Sequence, residues 1–454
     1  MNTTLLSQNQ PRYFIRTLNS TGVQSLLFLI LLAVGLTLLL SLNGPVFATL
    51  LVLSFGAYGI YSLNRHDYAG WFSAVCFFCG AESILRNGLP SAYMFFFYYL
   101  VGSGLLFLFT HLPNQRFKIV SATGFILLLT LLHFIHLDLH ELRFGIGKWG
   151  LIWAGLFFGM WISQSVKLNI DFYRCVWFYM LGAFVVLLSF LLAPQYFDGR
   201  YWPTFDGTGP VAACIGLLVL ILVQQINPKQ WISFKNILLG GMLVLCIGAL
   251  VMLASRGTFL ALAIATAFFF FTMRGFWNKF FIIILIVLMV GLIYYVDQSS
   301  IGNKALSSRV EEATEEDTRE GRKFINSAVF LAFPEDPVFG KGTGSWRHFN
   351  NKYIAAVFDR RYPKTVTMTD AHNTPLHLLF EHGLVGAGLF LGIIFFLVKR
   401  GYAMSKYTGI FVFPLILFSF TLGLSTMHKQ ASMFLPFFLA VMFLYSKQKQ
   451  VLNS

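Results

Sequence analysis

The chain has 454 residues, of which 57% are hydrophobic and only 11% are charged. Soluble domains carry about 25% charged residues, so this composition excludes an ordinary soluble enzyme and indicates a polytopic membrane protein. The formal net charge of +14 could suggest a nucleic-acid-binding protein. The basic residues sit mostly in short connections between apolar runs, however, where membrane topology accounts for them.

Apolar runs recur along the whole chain, and a membrane-spanning helix needs about 20 mostly apolar residues. We therefore predict an all-α polytopic membrane protein with about 12–14 transmembrane helices and one large outer loop. The predicted spans cover 25–43, 45–64, 69–89, 91–112, 119–137, 149–166, 174–193, 209–226, 236–254, 258–274, 279–297, 383–399, 408–425 and 431–446.

Basic residues concentrate in every second connection, which predicts that both termini are cytoplasmic. The five cysteines lie in apolar runs, and the Cys76-x-x-Cys79 pair lacks a second pair and a nearby histidine, so we predict buried small side chains. The predicted organisation is a cytoplasmic segment at 1–24, transmembrane helices at 25–297, the outer loop at 298–371, closing transmembrane helices at 372–446 and a cytoplasmic tail at 447–454.

The outer loop contains an acidic run at 311–320, a short amphipathic helix around 324–331 and a glycine-rich stretch from Pro337 to Gly344. A glycine-rich loop can cradle a phosphate, but this one lacks the Lys-Ser/Thr ending of a P-loop and a preceding strand. The pattern favours a tight turn. The acidic run is interleaved with Arg319 and is typical of a solvated segment rather than a metal site.

Two arginines are candidate anion-binding residues. Arg256 interrupts two long apolar runs and therefore lies near a membrane boundary, where ionisable residues are often functional. The alternative is an interfacial arginine that reaches the lipid headgroups. Arg322 lies at the start of the predicted amphipathic helix. Together, the guanidinium groups of Arg256 and Arg322 could bind the oxygens of a diphosphate.

His372 is the candidate general base. It precedes an apolar helix, with Asp370 or Thr369 as the predicted N-cap and Pro375 in the first turn. A helix N-terminus disfavours imidazolium, so the ring should stay neutral and able to accept a proton. We expect His377 and His382 to be structural histidines with satisfied hydrogen bonds.

Two further features give weaker indications. Glu381 falls on the helix face opposite His372, so we expect it to brace the helix end rather than pair with His372. Arg200, together with Tyr201 and Trp202, lies in an outer connection and forms either a sugar platform or phosphate contact, or an ordinary turn.

His372 and Asn373, followed after nine residues by Gly383-x-x-Gly386, resemble the His-Asn-x9-Gly-x-x-Gly signature of the O-antigen ligase and O-antigen polymerase superfamily. The context agrees: a Ser-Arg-Gly at Arg256 between two spans, then a long outer loop with Arg322, then three closing helices. The resemblance covers roughly residues 200–446.

The resemblance implies a C-type, inverting, metal-independent glycosyltransferase without a cofactor. Its donor would be a glycan on undecaprenyl diphosphate, and its acceptor would be lipid A-core. The enzyme would lie in the bacterial inner membrane, with the active site and the large loop in the periplasm. His372 would be the base, and Arg256 and Arg322 would bind the diphosphate. Asn373, Arg200, Gly383 and Gly386 would support them.

Other functions fit parts of the pattern. One alternative is an O-antigen polymerase, which uses a second lipid-linked glycan as acceptor, and another is a protein O-oligosaccharyltransferase. Both would use the same general base and the same groups to bind the diphosphate. A transporter or flippase could also use many helices with basic residues between them, but no internal repeat is evident. In a structural scaffold, Arg256 and His372 would tolerate replacement.

Overall fold

A computed structural model of the chain describes residues 21–85, 92–111, 121–137, 145–163, 168–197, 200–203, 208–226, 233–272, 276–299, 326–346, 353, 371–408, 412–424 and 433–441. Helices dominate these residues, because backbone N–H and C=O groups in a lipid environment must be satisfied within the protein. Each predicted span overlaps one of the helices.

The first seven helices precede the hairpin described below, and a short π-helical turn at Gly145–Gly150 leads into the sixth. They are α1 Thr21–Leu42, α2 Gly44–Asn64, α3 Tyr68–Leu85, α4 Ala92–His111, α5 Ser121–Ile135, α6 Leu151–Ser163 and α7 Leu168–Leu192. The later helices are α8 Thr208–Gln225, α9 Phe234–Leu253, α10 Arg256–Thr272, α11 Phe276–Gln298, α12 at 326–332, α13 Thr374–Thr408, α14 Val412–Gly423 and α15 at 433–441.

Seven of the described helices are long and apolar enough to cross a membrane, and four shorter apolar helices accompany them. The prediction of an all-α, multi-pass membrane protein is therefore confirmed, with one local exception. A two-stranded antiparallel hairpin, β1 Pro194–Phe197 and β2 Arg200–Pro203, joins α7 to α8 where the sequence predicted only a loop.

The core is built around α3, whose residues from Ala69 to Leu85 are all buried. A helix that is apolar on all sides is surrounded by other helices rather than by solvent. A Cβ on Gly80 would lie 2.4 Å from the carbonyl oxygen of Tyr179, and one on Gly182 would lie 2.7 Å from that of Phe77. The two glycines thus allow α3 and α7 to approach closely, as small residues do in membrane helix pairs. All five cysteines are free and buried, as predicted.

The helices have a consistent direction. Ser73 contacts Cys175 near the start of α3 and α7, and Gly80 contacts Gly182 further along both, so the two helices run parallel. The hairpin that follows α7 contacts α9. We call the end of the bundle that carries this hairpin, and at which α9 ends at Leu253, the loop end. The described residues 326–346, between α11 and α13, also lie at this end.

Candidate functional site

Arg256 is the first residue of α10, directly after a sharp reversal of the chain. Ala254 has a left-handed backbone, with φ +47°, and closes α9. The carbonyl of Ser255 accepts the first hydrogen bond of α10, and its hydroxyl lies 2.8 Å from that of Thr258. Arg256 is exposed. A cation at a helix N-terminus opposes the helix dipole, so this arrangement is unfavourable by itself and attractive to an anion.

Helix α10 packs antiparallel to α14. The rings of Phe268 and Phe413 meet edge to face with centroids 5.6 Å apart. Nearer the start of α10, a Cβ on Gly216 would lie 2.9 Å from Thr258 and 2.5 Å from Phe418. The start of α10 therefore lies beside the second half of α14, and Arg256 is displaced from Thr258 toward the end of α14.

Asn373 connects that end of α14 to the start of α13. Its side-chain oxygen accepts a hydrogen bond from the backbone N–H of Leu376 at 3.0 Å, which makes Asn373 the N-cap of α13. Its amide nitrogen donates to the carbonyl of Leu424 at 3.0 Å. The predicted cap at Asp370 or Thr369 is therefore wrong. One side chain caps α13 and fixes it against the helix that packs on α10.

His372 precedes this cap and is exposed, with a left-handed φ of +48°. Such a backbone is uncommon for a residue other than glycine, and strained conformations concentrate at functional sites. The packing brings His372 and Arg256 to the same end of the bundle, at the N-termini of two helices that both contact α14.

Replacing Asn373 with alanine is expected to lower the free energy of unfolding by about 1–2 kcal/mol, because it removes the cap of α13 and the bond to Leu424. Asn373→Asp keeps an oxygen for the cap but cannot donate to Leu424, and should retain part of that stability. Thermal unfolding of both variants in detergent measures the two contributions. Equal stability of wild type and Asn373→Ala would contradict this role.

The glycine-rich stretch is a structural turn, as predicted. All five backbone N–H groups from Gly340 to Gly344 donate to acceptors within the protein, so they are not available as a phosphate cradle. Their acceptors, in chain order, are the carbonyls of Asp336, Phe380, Glu381 and His136 and the side chain of Glu381.

Lys341 in this turn is also used structurally. Its ammonium lies 2.7 Å from Glu335 and 2.5 Å from Asp336. Burial alone would lower the pKa of Lys341, but the hydrogen bonds to Asp336 and Glu335 outweigh it and raise the pKa above its ordinary value. The lysine therefore stays charged and paired at neutral pH.

The two signature glycines explain how the turn reaches α13. The sequence predicts a span that begins at Gly383, but α13 begins at Thr374 and has a non-helical residue at Gly383, with φ +58° and ψ −154°. A Cβ there would lie 2.4 Å from the carbonyl oxygen of Val338. The kink frees the N–H groups of Leu384 and Val385, which donate to Pro337 and Val338. At Gly386, a Cβ would lie 2.3 Å from that of His382.

A small apolar cluster holds the turn and α12 on the first turns of α13. Its buried members are Ala328, Val329, Ala332, Trp346, Tyr353, Ala371 and Phe380. The predicted amphipathic helix is therefore present over 326–332, with Ala328 and Val329 facing inward and Phe330 exposed. Glu381 is fully buried and accepts from Gly344 at 3.0 Å, in the bracing role expected of it.

His377 and His382 are buried, but they are not satisfied as predicted. Neither ring nitrogen of His377 has a hydrogen-bond partner among the described residues, and Nδ1 of His382 has none either. The sequence gives no signal for this because the neighbours lie far away along the chain: Trp149 and Trp346 for His377, and His133 and His136 for His382.

The remaining predicted residues are only partly described. Arg200 is paired with Phe197 in the hairpin, at the loop end, but only its backbone is described. Arg322 and the acidic run at 311–320 lie outside the described residues.

Residues 241–391 match the family model described as O-antigen ligase. No curated protein matches the chain. The matched range includes Arg256, Arg322, His372 and both signature glycines, together with the turn that packs on them. Residues 241–391 of this multi-pass membrane protein are therefore similar to the O-antigen ligase superfamily.

Proposed function

We propose that this protein is an inverting, metal-independent glycosyltransferase that moves a glycan from undecaprenyl diphosphate to a hydroxyl of lipid A-core. One observation carries the proposal: Arg256 and His372 are both exposed at helix N-termini at the loop end, and Asn373 fixes their relative position through α14. The family match supports a ligase or polymerase type of chemistry.

In the proposed reaction, His372 accepts the proton of the acceptor hydroxyl as its oxygen attacks the anomeric carbon. The attack comes from the side opposite the diphosphate, so the configuration at that carbon inverts. The bond from the anomeric carbon to the diphosphate oxygen breaks, and the diphosphate leaves with the electron pair. A diphosphate is a good leaving group without a general acid.

The leaving diphosphate requires positive charge, which two groups supply in this proposal. Arg256 adds a full charge to the partial charge of the N-terminus of α10. Arg322 provides the second guanidinium. Preorganised charge of this kind lowers the barrier by several kcal/mol, because it acts where negative charge develops.

The same geometry suits a lipid-linked donor. The site lies at one end of the bundle, so a polyprenyl chain can stay in the bilayer while its diphosphate reaches the protein surface. We place the loop end in the periplasm and both termini in the cytoplasm of a bacterial inner membrane, in accord with the distribution of basic residues.

The test is in vitro transfer with purified protein, an undecaprenyl-diphosphate glycan and a chelator, with lipid A-core and a second lipid-linked glycan as separate acceptors. Glycan-capped lipid A-core is the expected product. A ladder of longer lipid-linked chains would instead identify a polymerase. Transfer to neither acceptor, with a donor that is active in a control enzyme, would favour a protein acceptor or a transporter.

Replacing Arg256 with alanine should reduce kcat/KM by about 10²–10³-fold, the effect expected when one charged donor to a developing oxyanion is lost. Arg256→Lys keeps the charge but not the planar fork, and should recover only part of the rate. The assay is transfer to lipid A-core, together with inhibition by free undecaprenyl diphosphate, which should weaken in both variants.

Arg65 provides the matched control for Arg256. It is exposed, follows the end of α2 and stacks over Tyr61, at the opposite end of the bundle. Arg65→Ala should leave transfer unchanged. If both alanine variants lose the same activity, Arg256 acts on folding or lipid contact rather than on the diphosphate.

A further inference from the structure

A second cluster of polar side chains lies inside the protein, behind the turn at 337–344. His133 from α5, and Glu381 and His382 from α13, each present one ligand atom, and the three atoms lie within 4.8 Å of one another. All three side chains are buried, with at most 1% exposed. Burying three such groups together is unfavourable unless something compensates them.

The hydrogen bonds fix which nitrogen atoms carry lone pairs. Nδ1 of His133 lies 2.7 Å from the carbonyl of Leu129, which can only accept, so Nδ1 is the donor and Nε2 carries the lone pair. The hydroxyl of Thr343 donates to the carbonyl of His133 at 3.0 Å. Its single proton is thus used, and it accepts from Nε2 of His382 at 3.1 Å. Nδ1 of His382 therefore carries the lone pair.

The two carboxylate oxygens of Glu381 have different surroundings. Oε1 accepts from the backbone of Gly344 and lies 3.4 Å from Nε2 of His377. Oε2 is buried and has no hydrogen-bond partner among the described residues, which also holds for Nδ1 of His382. The structure thus brings one carboxylate and two imidazoles close together, and the contacts with Gly344, Leu129 and Thr343 fix the orientation of each side chain, as metal sites require.

We propose that His133, Glu381 and His382 bind a divalent transition metal ion, with Zn²⁺ as the ion that fits best. Two imidazole nitrogens and one carboxylate oxygen form a donor set that Zn²⁺ favours, whereas Ca²⁺ and Mg²⁺ prefer oxygen ligands. Three atoms that are no more than 4.8 Å apart have a common centre within about 2.8 Å. Each ligand then moves by about 0.7 Å to reach a bond length of about 2.1 Å.

The role of this ion is structural. It ties the end of α5 to the kinked part of α13, where Thr343 and Gly344 also attach the turn. His382 lies eight residues beyond the first residue of α13, about 12 Å at the helical rise, and His372 precedes that residue, so the ion does not touch the reacting atoms. A metal at this site is therefore compatible with transfer chemistry that needs none.

The test uses the full chain, purified in detergent with an affinity tag that contains no histidine, from cells grown with added Zn²⁺. Elemental mass spectrometry measures the number of metal ions bound per chain. We expect about one Zn²⁺ in the wild type and less than about a tenth of that in His133→Ala and Glu381→Gln. His136→Ala is the matched control, since its ring lies 6.0 Å from that of His382 but outside the cluster. It should retain the metal.

A second measurement guards against misfolded variants. Glu381→Gln keeps an oxygen for the N–H of Gly344 and almost the same volume, so it should fold even where His133→Ala does not. Added Zn²⁺ should raise the Tm of chelator-treated wild type and leave that of Glu381→Gln unchanged. Wild type that carries no transition metal and shows no such rise would overturn the proposal, as would Glu381→Gln that retains its full metal content.

Discussion

Replacing His372 with alanine is expected to reduce glycan transfer by about 10²–10⁴-fold, which is the usual contribution of a general base. Donor binding should remain close to that of the wild type, because His372 acts on the acceptor hydroxyl rather than on the diphosphate. The measurement is kcat/KM for transfer to lipid A-core, followed over pH. The wild-type rate should rise with pH as the imidazole loses its proton, and the residual rate of the variant should lack this rise.

His66 is a matched control for this substitution. It is also an exposed histidine with a left-handed φ, +61°, just before a helix, and it lies at the opposite end of the bundle. His66→Ala therefore has the same chemical change and similar backbone strain, without the proposed site. His372→Asn is a second variant, because asparagine tolerates this backbone conformation but its side chain cannot act as a base.

The three proteins give distinct outcomes. Full activity in His66→Ala with loss in both His372 variants supports the base. Normal transfer by His372→Asn would show that the backbone conformation, rather than the imidazole, matters at this position. Equal activity in wild type and His372→Ala would remove His372 from the reaction.

Gly383→Ala is expected to have the largest effect on stability, about 3 kcal/mol or more. The backbone at φ +58° and ψ −154° is accessible almost only to glycine, and the added Cβ would lie 2.4 Å from the oxygen of Val338. The turn at 337–344 would have to leave α13. Thermal unfolding in detergent, and proteolysis within this turn, measure the two consequences.

Gly388 on the same helix provides the control. It has ordinary helical geometry, is exposed, and a Cβ there would meet nothing within 4 Å. Gly388→Ala should be neutral or stabilise the protein by up to about 1 kcal/mol, because alanine favours helices. If the two variants unfold at the same temperature, the kink at Gly383 is not required for folding.

The sequence predicts the helices well because a long apolar run in a membrane has few alternatives. Every predicted span overlaps a helix, and the glycine-rich stretch is a turn, as its residues indicate. The ends are less predictable: α13 begins at Thr374, well before the predicted start at 383. Its first turns carry polar residues that are buried by the turn and α12, and hydropathy does not register burial by a distant segment.

The sequence also identifies the motif, but it does not predict the structural role of each residue in it. The His-Asn-x9-Gly-x-x-Gly spacing alone leads to the superfamily, and the family match over residues 241–391 confirms it. The bond from Asn373 to Leu424, in contrast, is a contact across 51 residues of chain. The turn that requires Gly383 lies about forty residues before it.

By itself, then, the sequence determined the membrane-helical fold class, the superfamily and the candidate residues Arg256, Arg322 and His372. Hydrophobicity, charge placement and short motifs are local properties, so they can be read along the chain. Only the tertiary structure decided that the backbone N–H groups of the glycine-rich turn donate hydrogen bonds within the protein, and that His133 lies beside Glu381 and His382. These features arise where helices far apart in sequence pack together, and local patterns carry no information about such contacts.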